Sequence, residues 1–216
     1  LFPYTTLSHS IVQASTRPPG GTFAAPVDLS ATGQTAFDPQ VAVAADGSLY
    51  VADTMNHRIQ HLSPQGELLE EWGGFSGGTE EVAPAANGTF NEPWGVAVAP
   101  DGTVYVADTW NHRVQHFNAQ GQFLGSFGFF GQAESADAFW GPRAVAVDAE
   151  GRVYVADTGN KRVAVFDEQG RALGSFGGFG LQLGGMDEPR GPGLGLDASI
   201  FVADTWTQRG EVVVGP

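Results

Sequence analysis

Val155-Ala156-Asp157-Thr158 is the third of four copies of one tetrapeptide, whose aspartates fall at Asp53, Asp108, Asp157 and Asp204. The steps between them are 55, 49 and 47 residues. Around the third copy the frame runs from Ala144-Val145-Ala146-Val147 through a Glu150-Gly151 turn into Val153-Tyr154-Val155-Ala156-Asp157. It continues through Thr158-Gly159-Asn160-Lys161-Arg162 into Val163-Ala164-Val165-Phe166, a Gln169-Gly170 turn and Leu173-Gly174-Ser175-Phe176-Gly177. A fixed period of this size marks a modular array, in which each unit buries its apolar faces against its neighbours.

Each period reads as four short strands. In the second copy they cover 95–99, 103–108, 113–117 and 123–127, runs rich in Val, Tyr and Phe. Turns of the Asp-Gly, Glu-Gly and Gln-Gly type bound them, as tight hairpins require. No segment carries apolar residues at helical spacing over ten or more positions. The expected fold is all-β, with four-stranded antiparallel blades of a β-propeller. The blades are expected at about 37–76, 90–128, 139–177 and 188–216, with a non-repeat segment at 1–36.

Asn56-His57-Arg58-Ile59, Asn111-His112-Arg113-Val114 and Asn160-Lys161-Arg162-Val163 each follow a Val-Ala-Asp-Thr. These stretches resemble NHL repeats, as does the blade opening Glu92-Pro93-Trp94-Gly95-Val96-Ala97-Val98. The resemblance implies a β-propeller, most often of six blades, and covers 37 to about 209. The fourth copy departs from the pattern, with Thr207-Gln208-Arg209 in place of Asn-His-Arg. About four repeats therefore imply an incomplete ring of bacterial type. Leu1-Phe2-Pro3-Tyr4-Thr5-Thr6-Leu7 resembles translated adapter sequence from environmental DNA, and the chain is expected to be a segment of a larger protein. The alternative is a closed ring, in which one of two N-terminal runs, 10–13 or 25–29, supplies a strand to complete the last blade.

With 24 acidic and 10 basic residues, the net charge is −14. Affinity for nucleic acid comes mainly from clustered Lys and Arg, so no nucleic-acid partner is expected. The absence of Cys removes disulfides, thiolate metal sites and cysteine nucleophiles. No run of about 20 apolar residues offers a membrane span within this chain.

Asp53, Asp108, Asp157 and Asp204 each precede an arginine by five residues: Arg58, Arg113, Arg162 and Arg209. A catalytic site is needed once per ring, whereas this pair recurs in every blade. The pairs are therefore read as cross-hairpin contacts, with Asn56, Asn111 and Asn160 shaping the turn. His57/His61 and His112/His116 have the spacing of helical zinc ligands. On a strand that spacing separates them by roughly 13 Å, too far to share one ion with bonds of about 2 Å.

The positions that vary inside the fixed frame are the candidate binding residues. One follows the tetrapeptide: Met55, Trp110 and Trp206, with Gly159 in the third copy. The other follows the proline of the blade opening: Trp94, Arg143 and Arg190. Exposed tryptophans would stack on a sugar or anchor a protein; the alternative is packing on the next blade. Two arginines at one mouth point to an anionic ligand; the alternative is pairing with the surplus acids.

The expected function is a non-catalytic binding or scaffolding module presenting loops at one face to a protein, glycan or cell-envelope partner, outside the bacterial cytoplasm. The family resemblance also implies two alternatives. One is part of a lyase or lactonase-like propeller enzyme with axial calcium or zinc. The other is the soluble tail of a membrane glycosyltransferase-like protein. No cofactor is expected from the residues themselves, because the channel strands offer Val and Ala, with Asp148 and Asp197 only at their ends.

Overall fold

A computed structural model describes residues 13–14, 27–28, 40–76, 85–180, 184–195, 199–205 and 209–214. Three four-stranded antiparallel sheets follow one another along the chain, each strand paired with its sequence neighbour. Blade 1 comprises Gln40–Val43, Leu49–Asp53, Arg58–Leu62 and Leu68–Gly73. Blade 2 comprises Pro93–Val98, Val104–Asp108, Arg113–Phe117 and Phe123–Phe127, and blade 3 Pro142–Val147, Val153–Asp157, Arg162–Phe166 and Ala172–Gly177. Blade 4 has three strands among the described residues: Pro189–Leu194, Ser199–Asp204 and Arg209–Val214. The architecture is the β-propeller blade array expected from the sequence, and the ring is not closed. The N-terminal runs do not extend blade 4 where they are described. Gln13–Ala14 and Val27–Asp28 pair with each other instead.

The core lies between blades. Tyr50, Ala52 and Ile59 of blade 1 form one cluster with Val96, Val104, Val106 and Phe117 of blade 2. Tyr105 and Val114 of blade 2 cluster with Val145, Val155 and Phe166 of blade 3. Tyr154 and Val163 then meet Ile200 and Val202 of blade 4. Alternation explains this, because a strand sends successive side chains to opposite faces and a middle blade is covered on both.

A wedge completes each interface. Phe90, Phe139 and Met186 stand three residues before Pro93, Pro142 and Pro189 and are fully buried. Each is fixed by a short parallel pairing to the end of the preceding blade: Phe75 with Phe90, Phe130 with Phe139 and Phe179 with Met186.

The first strand of blade 2 begins at Pro93, two residues before the run expected from the sequence, because a β-bulge intervenes. The register shifts between Pro93 and Gly95, and likewise between Pro142 and Ala144 and between Pro189 and Gly191. The residues passed over are Trp94, Arg143 and Arg190. Blade 1 keeps its register across Gln40–Val43. A bulge re-aims a side chain out of the strand's alternation, which is why this position varies without disturbing the core.

Candidate functional site

The tetrapeptide and the residues after it form the joint between blades. Thr54 Oγ1 donates to the Pro93 carbonyl at 3.0 Å, Thr109 to Pro142 at 2.8 Å and Thr158 to Pro189 at 2.6 Å. After each Asn the chain turns left-handed at His57, His112 and Lys161, with φ of 53°, 53° and 59°. That turn aims the side chain at the next blade. His57 Nδ1 accepts the Glu92 backbone N–H at 3.0 Å, and His112 Nδ1 that of Gly141 at 3.1 Å. In blade 3, Lys161 Nζ reaches the Asp187 carbonyl at 2.9 Å and also the Asp187 carboxylate.

The aspartates hold the same joint from the other side. Arg58, Arg113 and Arg162 donate through Nε to Asp53, Asp108 and Asp157 at 2.9, 2.8 and 2.9 Å. Asn56, Asn111 and Asn160 each bond the aspartate of their own blade at 2.7–2.9 Å. Asp108 also accepts the Asn91 N–H, and Asp157 the Trp140 N–H, both at 2.8 Å. Arg113 also donates to the carbonyls of Ala85, Ala86 and Thr89, and Arg162 to those of Ser135, Ala136 and Ala138. Burial lifts the Asp108 and Asp157 carboxyls above their ordinary range, against the pull of these donors. Asp204 accepts the N–H groups of Asp187 and Glu188. Asp204 faces Arg209 in register.

The variable positions lie around these joints. Trp110 is 41 % exposed, and its Nε1 donates to Glu92 Oε2 at 2.9 Å. Trp94 Nε1 reaches the same oxygen at 3.3 Å. The Arg143 guanidinium lies 4.6 Å from the centre of the Trp94 ring and 3.3 Å from Glu188. Arg190 pairs with Glu188 at 2.9 Å. The two arginines therefore converge on one carboxylate, the pairing alternative of the sequence reading. Met55 is exposed; Trp206 lies outside the described residues.

A groove of about 410 Å³ opens between the lead-ins of blades 3 and 4, bordered by Trp110, Trp140, Arg143, Lys161, Asp187 and Glu188. Blade 3 has Gly141 and Gly159 here, where blade 2 has Glu92 and Trp110. A Cβ on Gly159 would stand 2.4 Å from the Trp140 carbonyl and 2.6 Å from its ring. Trp140 is thereby laid across this site, 44 % exposed. Sequence reasoning missed it because its counterparts, Asn91 and Asp187, are polar loop residues. The same face carries Phe75 against His57, Phe130 against His112 and Phe179 against Lys161, at 4.6, 4.8 and 4.9 Å. All three phenylalanines are exposed.

The described residues do not fit an axial metal. Among the described residues no three His, Asp or Glu side chains converge as ligands. Asp148 is spent on its own turn, accepting from Arg152 at 2.6 Å and Tyr154 at 3.0 Å; Asp197 lies outside the described residues. The histidine pairs also diverge: His57 serves the next blade, while His61 stacks on Tyr50 at 4.1 Å.

The NHL repeat pattern matches residues 40–62, 90–117 and 139–166. Human NHL repeat-containing protein 2 is 39 % identical over 70 residues, covering 31 % of this chain and 10 % of that protein. The Drosophila melanogaster protein brain tumor is 48 % identical over 48 residues, covering 22 % and 5 %. The chain thus spans a small part of these relatives. Among solved structures, virginiamycin B lyase from Staphylococcus aureus superposes with a TM-score of 0.61 at 12 % identity, over 94 % of this chain and 63 % of that one. A nidogen/laminin complex gives 0.56 at 18 % identity, over 86 % and 60 %. At these identities the likeness is one of fold. Three matched repeats, each spanning the first three strands of one four-stranded blade, place the chain in the NHL-repeat β-propeller family.

Proposed function

We propose that the protein is a non-catalytic binding module that presents its joint-bearing face to a protein or glycan partner of the bacterial cell envelope. One contrast carries this reading. The residues that recur from blade to blade, Asp, Arg, Asn, Thr and His, are consumed in holding blades together, whereas Met55, Trp110 and Trp140 remain exposed. Exposed aromatic side chains on a rigid frame are the usual anchors of interfaces. The lyase alternative has the shared fold in its support, and fold alone does not carry a reaction. No helix among the described residues is long and apolar enough to cross a membrane.

Adding calcium or zinc is expected to leave the melting temperature unchanged, because a ligand bound only by the folded state would raise it. A saturable rise with either ion would contradict this expectation and revive the enzyme reading. Single-stranded RNA at low salt is expected to give no gel shift, given the net charge of −14.

A further inference from the structure

We propose that the groove between blades 3 and 4 is a subsite for a neutral oligosaccharide; this rests on the binding-module reading and names its ligand. Three observations converge on that chemistry. The first is the pair of half-exposed indoles, Trp110 and Trp140, on one open groove. An indole face stacks on the C–H face of a pyranose ring, an apolar body with a polar edge, the pattern that places tryptophan at wet interfaces.

The second is the charge of the rim. Arg143 and Lys161 are matched there by Glu188 and Asp187, and both pairs are in contact. The four charged residues that line the groove sum to zero, and Arg190, outside that lining, also pairs with Glu188. A carboxylate has about four lone-pair positions and an ammonium three N–H groups, so ion-paired side chains such as Asp187 and Lys161 can still bond a hydroxyl. Vicinal hydroxyls both donate and accept, and they use such mixed rims fully. An extended proline-rich peptide offers mostly carbonyl acceptors, which carboxylates at the rim would repel.

The third is shape. At about 410 Å³ the groove falls within the roughly 300–1,000 Å³ of small-molecule sites, and it is open rather than enclosed. An open groove suits the interior of a chain molecule, whose ends must pass out on both sides. Gly141 and Gly159 line the groove without side chains of their own.

The test is an NMR titration of the isotope-labelled protein, following its five indole N–H signals. The probes are β-linked glucose, xylose and N-acetylglucosamine oligomers, an oligogalacturonate and a proline-rich peptide. Neutral oligomers should shift the signals of Trp110 and Trp140, assigned by Trp110→Ala and Trp140→Ala, and leave that of Trp72 in place. Trp140→Ala should weaken binding at least tenfold with amide dispersion intact. Gly141→Glu supplies a second variant that removes no contact. It restores the carboxylate that blade 2 carries at Glu92, where φ is 52° against 62° at Gly141, and should block the groove.

No shift from any neutral oligomer up to about 10 mM, tenfold above a ~1 mM dissociation constant, overturns the assignment. Shifts from the oligogalacturonate or the peptide alone overturn it as well. A neutral oligomer that binds and is then cleaved would uphold the groove and sink the non-catalytic reading. If no probe binds, the groove assignment falls by itself.

Discussion

Arg113 shows how much one side chain carries in this fold. It closes the ion pair to buried Asp108 and ties the carbonyls of Ala85, Ala86 and Thr89. Removing it strands a buried carboxylate, which typically costs about 3–5 kcal/mol. Arg113→Ala should therefore lower stability to urea by that order, while Trp110→Ala, at an exposed site, stays within about 0.5 kcal/mol. Equal losses would mean that the arginine is ornamental. Histidine sets the pH response. Burial depresses the pKa of His57 despite Glu92 and Asp108, of His61 despite Asp46 and Glu70, and of His116 beside the Tyr105 and Phe127 rings. The unfolded chain then binds protons at about pH 6.5 that the folded chain refuses. Stability is full above that pH and falls as pH drops through the depressed folded values. A urea midpoint unchanged between pH 7 and about 5 would contradict this.

Blades approach closely where a glycine stands in the first strand. A Cβ on Gly95 would meet the Ala144 Cα at 2.7 Å and the Arg143 carbonyl at 2.8 Å, both backbone atoms of blade 3. Gly95→Ala should therefore destabilise by about 1–3 kcal/mol through overpacking, seen as a lower melting temperature. A neutral or stabilising result would show that the two strands can part at no cost. The strands themselves were legible in the sequence, because β-branched runs and Gly turns repeat in phase. The bulge was not, since an inserted residue leaves no mark on a period already varying from 47 to 55 residues. Trp94, Arg143 and Arg190 were legible as variable, but that Arg143 and Arg190 share Glu188 depends on how neighbouring blades meet. Trp140 was hidden for a related reason: its exposure follows from Gly159, nineteen residues later.

At the scale of the molecule, blades 1 and 4 differ from the middle pair in what covers them. Val41 is 44 % exposed where its counterpart Val96 is 6 %, and Phe201 is 48 % exposed where Tyr105 is 2 %. Two apolar faces lie open, and contiguous apolar surface of this kind drives association. The 216-residue chain should therefore sediment as a concentration-dependent oligomer, and Val43→Glu with Phe201→Lys should return it to a monomer. A monomer at all concentrations without those changes would refute the point.

The threonine joints add a direction to these faces. Thr54, Thr109 and Thr158 always donate forward, to a proline carbonyl that always lies behind the next bulge. The array is thus polarised like a magnet, with unlike poles at its two faces. Contacts between unlike poles are head-to-tail, and such contacts either close into a ring or propagate as a helical fibre, according to the rotation each one adds. A two-fold, face-to-face dimer would set like poles together.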